Sequence, residues 1–402
     1  MAFDGILIGV AVAGVLVALY AYVGFPAIAA LLGAASPRHR ALVDRRGERR
    51  KVTVIVSAYN EERSLDAKLR NVLATDYPRD LLQVLVVSDA STDRTNDIAR
   101  SFEHDGVTLI VQPTRRGKSL GLNDAIDRAR GDIVVFTDAN ASFTPQTIPT
   151  LLRYFADPKV GLVTGYTQYE TRGSGEVAHA TNLYTSLERA IKIAESRWGC
   201  CVGADGAVFA MRRRLFRPLR HDDINDFVIP LDVIAQRSEC VFASGAWCAE
   251  AASDSVASEF RRQARITNRT LRALWRHVGL LNPFRYGLFS FFLFSHKIVR
   301  FLVPVLMTCS ALALGVWVAV RWPSLAVAAI IAIAIVLLTQ TVATRVNASL
   351  GVVARPIRMM NIAVTMHAAA LQGWWHFLCG RRDVVWQHDR STAATVPVDT
   401  VN

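Results

Sequence analysis

Residues Gly131–Asn140 read GDIVVFTDAN. Ile133 to Thr137 are all good strand formers, and the run stops at Asp138-Ala139-Asn140, so a buried parallel strand delivers two oxygen-bearing side chains to its carboxyl end. Ligands in open α/β sheets bind at such ends. Asp138 and Asn140 stand two residues apart, close enough for both to reach one ligand, such as a divalent metal carrying a diphosphate. The same pair also suits a helix cap or a turn, so the neighbouring segments have to decide.

Those segments alternate in type. Val52–Ser57, Val84–Ser88 and Val107–Val111 have strand character, while Arg63–Ala74, Thr92–Phe102 and Leu120–Arg130 have helical periodicity. The pattern predicts an α/β fold with a mostly parallel sheet. Its strand ends carry polar clusters: Ser57-Ala58-Tyr59-Asn60-Glu61-Glu62, then Asp89-Ala90-Ser91-Thr92-Asp93, then Asp138-Ala139-Asn140. Three clusters at three carboxyl ends point to one cleft. Between the third strand and its helix lies Arg115-Arg116-Gly117-Lys118-Ser119, a basic stretch suited to neutralising phosphate near a helix N-terminus. No GxxxxGK[ST] and no GxGxxG occurs, which disfavours a P-loop NTPase or a dinucleotide dehydrogenase.

Composition adds a membrane. The 402 residues are 51% hydrophobic, and the apolar surplus is concentrated in long runs. Gly5–Gly33 carries no charge and exceeds the roughly 20 residues that cross a bilayer. A signal peptide fits this run less well, because MAFD offers no basic n-region. Arg38, Arg40, Arg45, Arg46, Arg49, Arg50 and Lys51 follow directly, which places the rest of the chain on the cytoplasmic side. The net charge of +12 is therefore read as membrane topology, with no nucleic-acid partner expected. The six cysteines show no CxxC pair, so reduced thiols are expected rather than a disulfide framework or a zinc site.

SAYNEE, VVSDASTDRT, GKSLGLNDAI and FTDAN, in that order, resemble the successive motifs of family 2 glycosyltransferases, which have the GT-A fold. The likeness continues through GADGAVFAMRR (Gly203–Arg213) and NDFVIPLDVIAQ (Asn225–Gln236), and the flanking apolar segments are similar to those of the integral-membrane branch. The resemblance implies a UDP-sugar donor. Ala58, Tyr59 and Glu61 match the wall around base and ribose, and Asp89 matches the acceptor of a uracil hydrogen bond, although an Asx-turn would explain Asp89 as well. Lys118 matches the lysine that approaches the donor, and Gly206 lies in the family's donor and acceptor loop. Asp138 and Asn140 stand for the DxD motif, implying Mg²⁺ or Mn²⁺ with one carboxylate fewer than usual. Asp226, chosen from Asp222, Asp223, Asp226 and Asp232, matches the acidic residue of the TED-like motif and is expected to be the catalytic base of an inverting displacement. Glu188 and Glu195, seven apart on a predicted helix, are surface or acceptor-side candidates.

Downstream, Glu259–Leu281 carries Phe260, Ala264, Leu271, Leu274, Trp275 and Val278 on one face and Arg261, Arg265, Arg269, Arg272 and Arg276 on another, predicting a helix lying on an anionic membrane. The QxxRW motif of processive family members is replaced by Arg262-Gln263-Ala264-Arg265-Ile266, so addition of one or a few sugars is expected. Phe301–Val320 and Trp322–Ala343 read as further spans, and Met359–Cys379, with His367 and His376, as an interfacial helix. The expected organisation is a membrane helix in 1–37, a cytoplasmic GT-A domain in 38–257, interfacial helices in 258–299, and a membrane or interfacial region in 300–402. The expected partners are a UDP-sugar, a lipid-linked or saccharide acceptor and membrane lipids, at a cell (inner) membrane that the chain crosses more than once.

Overall fold

The computed structural model describes residues 2–37, 50–170, 176–251, 256–328, 331 and 354–382. The basic run from Arg38 to Arg49 and most of the predicted span Trp322–Ala343 lie outside the described residues. In chain order, helix α1 (Ala2–Ala34, with a π-helical turn at Tyr20–Gly24) leads into β1 (Val52–Ala58), α2 (Leu65–Leu73), β2 (Leu82–Ser88), α3 (Thr95–Ser101), β3 (Val107–Val111), α4 (Lys118–Ile126) and β4 (Ile133–Asp138). Then come β5 (Ser142–Phe143), α5 (Thr147–Arg153), β6 (Val160–Glu170), α6 (Glu176–Ser196), β7 (Phe209–Arg212), α7 (Asn225–Ala235) and β8 (Glu239–Ala251). Helices α8 (Val256–Arg276), α9 (Leu288–Arg321) and α10 (Ala354–Leu378) complete it.

One sheet of eight strands results, in the order β3-β2-β1-β4-β7-β6-β8-β5. The first four are parallel, as the alternating pattern predicts, and β7 turns the sheet by pairing antiparallel to both β4 and β6. Every residue of β1 is buried, so both faces of the sheet are covered. Val52, Val54, Val56, Val84 and Val86 face one layer, where Leu65, Leu69 and Val72 of α2 and Ile148 and Leu151 of α5 meet them. Burial of each such side chain contributes on the order of 1.5–3 kcal/mol. Ile55, Leu85, Val134, Phe136 and Phe209 face the other layer, shared with Leu122 of α4 and with Leu231 and Val233 of α7.

That second layer also contains Phe25 and Ala29 of α1, Ala273 and Leu274 of α8, and Phe289, Phe292 and Leu293 of α9. The sheet and the flanking helices therefore share one core. Helices α1 and α9 run antiparallel: Asp4 takes both Nε (3.0 Å) and Nη2 (2.7 Å) of Arg321 at one end, and Tyr20 Oη lies 2.7 Å from Ser295 Oγ at the other. Both helices are long and apolar enough to cross a membrane. Phe3, Ile6, Leu16, Leu19, Leu31, Leu312 and Val320 remain exposed on them.

The amphipathic helix α8 departs from expectation. Ala264, Leu271 and Leu274 are buried within the protein, and Arg269 donates to the main-chain carbonyls of His221 (3.2 Å), Asp222 (3.1 Å) and Asp223 (2.7 Å). Its apolar face is used for packing because α10 and the 221–223 segment lie against it; only Trp275 and Val278 of the predicted face stay exposed. Helix α10 runs antiparallel to α9, with His367 Nε2 2.9 Å from Thr308 Oγ1 and Trp374 Nε1 donating to Phe301 O at 2.7 Å. All six cysteines are free thiols.

Candidate active site

The cleft forms where β1, β2 and β4 end. Asp138 is the last residue of β4 and pairs in register with Ser57, while Ala58, at the end of β1, accepts the main-chain N–H of Asp89 at 3.0 Å. Two turns there use left-handed backbone, Asn60 at φ 52° and Ala90 at φ 54°. Asn60 stabilises its turn by accepting the N–H of Thr92 at 2.9 Å. Ala90 has no such side chain, and strained backbone of this kind gathers at functional sites.

Asp89 is buried, and its carboxylate engages the following loop rather than an Asx-turn. Its Oδ1 accepts the N–H groups of Arg116 (2.9 Å) and Gly117 (3.0 Å) and Nε2 of Gln112 (3.0 Å). It thereby fixes the loop that delivers Lys118. Asp93 caps the following turn, accepting Thr95 N at 3.0 Å. Gly117 has φ 87°, a conformation that favours glycine, and α4 starts immediately after it, two residues earlier than predicted.

The basic stretch 115–119 does not act as one phosphate-facing unit. Arg116 pairs with Asp124 at 2.6 Å, the Arg115 guanidinium stacks 3.7 Å from the centre of the Tyr59 ring, and Ser119 Oγ donates to Asp223 O at 2.6 Å. Lys118 alone turns to the β4 terminus: its Nζ lies 2.6 Å from Asp138 Oδ1, with both side chains 18% exposed. Glu61 is buried in the turn that precedes α2, where its carboxylate accepts Ser64 Oγ and its N–H donates to Thr95 Oγ1 at 2.7 Å.

Gly206 joins the two halves of the cleft. Its carbonyl lies 3.4 Å from Lys118 Nζ, and a Cβ placed on it would stand 3.0 Å from Asp226 Oδ2. Asp226 sits in the first turn of α7, and its carboxylate accepts no hydrogen bond among the described residues, so it is not spent on capping. Its three rivals are spent: Asp223 pairs with Arg276, Asp222 lies 3.7 Å from the same guanidinium, and Asp232 is 3.3 Å from His277 Nε2. Burial pushes the Asp226 carboxyl above the ordinary carboxylate range; Lys118 pulls it down and Asp205 pushes it up.

Asp205 latches the loop. Its carboxylate accepts Thr167 N (2.8 Å), Thr167 Oγ1 (2.7 Å) and Ala207 N (3.1 Å). Behind the loop, Glu195 accepts Val202 N at 3.0 Å and His296 Nδ1 lies 2.6 Å from its other oxygen, while Glu188 meets His296 Nε2 (3.1 Å) and Arg300. Glu195 is fully buried and is no surface residue, whereas Glu188, although paired in this cluster, is partly exposed and lines a cavity beside Asp205. Helix α9 lies across α6 and supplies the opposing charges. Lys68 carries no signal in the sequence that would single it out. It is fully buried, donates to Ala141 O at 2.5 Å and sits 3.7 Å from the centre of the Phe143 ring, pegging the segment that follows Asn140.

Among the described residues no group of three or more His, Cys, Asp or Glu side chains forms a metal cage. Asn140 Oδ1 is nevertheless buried without a hydrogen-bond partner among the described residues, two positions from the Asp138 carboxylate. An orphaned hard oxygen beside a carboxylate fits a Mg²⁺ or Mn²⁺ ion completed by diphosphate oxygens.

Comparison with known proteins finds relatives in sequence and in fold. Residues 53–220 match the family model described as Glycosyl transferase family 2. It is 27% identical over 139 residues to glycosyltransferase AglE of Haloferax volcanii, covering 34% of this chain and 46% of that one. It is likewise 27% identical over 165 residues to the poly-beta-1,6-N-acetyl-D-glucosamine synthase of Staphylococcus aureus, covering 40% and 39%. The matches thus span less than half the length of these curated relatives. Among solved structures, the mannosyltransferase PcManGT from Pyrobaculum calidifontis, in complex with GDP-Man and Mn²⁺, shares the fold at a TM-score of 0.70 and 24% identity, covering 94% of this chain and 100% of that one.

Proposed function

We propose that this family 2 glycosyltransferase domain catalyses inverting transfer of a sugar from a cytoplasmic nucleotide sugar, a UDP-sugar by motif resemblance, to a lipid-linked or saccharide acceptor at a membrane. The observation that carries the reading is the convergence on Gly206. Lys118 and Asp138, at one strand terminus, meet Asp226, from a different element, across a single glycine. An acceptor hydroxyl gives its proton to Asp226 as its oxygen bonds to the anomeric carbon, and the bond from that carbon to the diphosphate oxygen breaks. Lys118 takes up charge on the departing diphosphate. Asp138 and Asn140 would hold a divalent cation, which when bound neutralises the same diphosphate.

Asp89 presents a carboxylate that suits the N–H edge of uracil, and guanine offers a similar edge. The GDP-Man bound to the structural neighbour makes a GDP-sugar the second donor to test. A cavity of about 430 Å³ lined by Tyr166, Tyr169, Arg189, Lys192, Asp205 and Phe242 adjoins the 203–207 loop. Its mixture of aromatic faces and polar groups supports a saccharide on the acceptor side. The α1–α9 pair supports anchoring in a cell membrane with the sheet on the cytoplasmic face.

The test is release of nucleoside diphosphate by the full chain in lipid nanodiscs with Mn²⁺, across UDP- and GDP-sugars. The expected result is one preferred UDP-sugar whose turnover Asp226→Asn lowers by about 10²–10⁴ while donor binding persists. Failure of every donor to bind or turn over overturns the enzyme reading. Products that lengthen into a high-mass ladder would replace single-sugar addition with processive synthesis.

A further inference from the structure

Away from the cleft, a second cavity of about 460 Å³ lies where α8, α10 and the 220–222 segment meet, lined by Arg220, Arg272, Arg276, Arg382, Trp275 and Phe377 among others. Four guanidiniums face one carboxylate in its wall, Asp222. The remaining nearby carboxylate, Asp223, is already paired with Arg276. Arg272 is held by donating to Asn268 Oδ1 (3.1 Å) and Arg381 O (2.7 Å), with its guanidinium over the Phe377 ring. Arg220 and Arg382 are exposed and have no ion-pair partner among the described residues. Burial works against the charge on Arg276, and crowding by these two adds to that effect while Asp222 opposes it. Such a pocket is short of an anion.

Its wall is not that of a free-phosphate site alone. Trp275 is 74% exposed at its rim, and the neighbouring helix end of α10 exposes Trp375 (64%) and Leu378 (70%). Indoles beside arginines occupy the boundary between headgroups and acyl chains, where planar guanidiniums bind phosphate bidentately. The cavity is also built rather than incidental. A Cβ on Gly373 would stand 2.5 Å from Thr267 Cβ and 2.7 Å from Ala264 O, so α10 is seated tightly on α8, and Asn268 Nδ2 donates to Arg381 O at 2.9 Å.

We propose that this arginine cavity binds the phosphate of an anionic phospholipid headgroup, with Arg220 and Arg382 as its open contacts and Trp275 at its lipid edge. The site is separate from the donor cleft. Its back wall nevertheless includes Leu120, two residues beyond Lys118, and the His221–Asp222 segment that leads into Asp226. A bound headgroup would brace the two segments from which these residues project.

The experiment titrates the detergent-solubilised full chain with dihexanoyl-phosphatidylglycerol, dihexanoyl-phosphatidylcholine and inorganic phosphate, reading the melting temperature and the Trp fluorescence. Phosphatidylglycerol is expected to raise the melting temperature saturably, phosphate to require at least roughly tenfold higher concentration, and phosphatidylcholine to do less than either. Arg220→Ala/Arg382→Ala should weaken phosphatidylglycerol binding at least about tenfold, and Trp275→Leu should remove the fluorescence change while leaving phosphate binding intact. Nucleoside diphosphate binding should be unaltered in all variants, which separates this result from the fate of the enzyme reading. Unchanged phosphatidylglycerol affinity in the double variant overturns the site. Equal affinity for inorganic phosphate overturns the lipid and leaves a soluble phosphate ligand.

Discussion

Asp226 combines a recessed carboxylate with a helix start that makes no use of it for capping, a costly arrangement unless the group has other work. Burial raises its folded pKa above the ordinary value of 3.8. Its contribution to stability is therefore fully present below pH 3.8 and is lost as pH rises through the raised value. Asp226→Asn should accordingly melt higher than the parent at pH 7, with the gap closing towards acid, and on the proposed role of Asp226 as base the acidic limb of the kcat/KM profile should disappear. A variant that melts lower at every pH would show the carboxylate to be structural. Asn140 allows the opposite experiment. Asn140→Asp supplies the missing charge, and Mn²⁺ titrated in the presence of UDP and followed by electron paramagnetic resonance should bind on the order of tenfold tighter. At this scale Asp89, Asp138 and Asn140 stand out because they follow apolar strands, whereas Lys118 and Asp226 lie in polar stretches and are singled out by motif resemblance alone. The motifs conceal Lys68 and His296, whose burial depends on elements distant in sequence.

Elements are legible where period and punctuation agree. Val107–Val111 is a strand with the predicted bounds, and β1 and β4 extend theirs by one residue each. The long pair β6 and β8 escapes a reading by period, since Val160–Glu170 and Glu239–Ala251 carry glycines and register shifts where the sheet bends. Helix α8 is legible in its periodicity but not in its partner, because a pattern of apolar residues says that a face is buried and not what buries it. The same lesson applies to the apolar α1, whose Gly14 gives way to α9. A Cβ there would stand 2.0 Å from Ser310 Oγ and 2.8 Å from Leu306 O. Gly14→Leu should separate the helices and lower the melting temperature in detergent, at a cost of about 1–3 kcal/mol. Ser310→Ala should rescue it only in part, because the Leu306 carbonyl remains in the way. Full rescue would place the crossing elsewhere.

Across the whole molecule the sheet and the apolar helices behave as one body, and the Glu188–His296–Glu195 cluster is where they are tied. Glu195 reaches from His296 on α9 to Val202 N, at the root of the loop that ends in Gly206 beside Asp226. Movement of α9 relative to the sheet would therefore bear on the 202–206 loop through one carboxylate. Burial works to raise the pKa of Glu188, but His296, with Lys297 and Arg300, outweighs it and holds the group well below 4.5. Stabilisation from this pair is present above pH 4.5 and is lost as pH falls through the depressed folded value. Acid should thus loosen α9 from the sheet. Glu188→Gln should remove that acid-dependent component, so that the variant is less stable than the parent at pH 7 and converges with it at low pH. Hydrogen exchange at Val202–Gly206 provides the local readout: protection there should fall in Glu188→Gln at pH 7 while β1 and β2 stay protected. Uniform loss of protection across the sheet would mean that the cluster supports the fold as a whole and does not tie the membrane helix to the active-site loop.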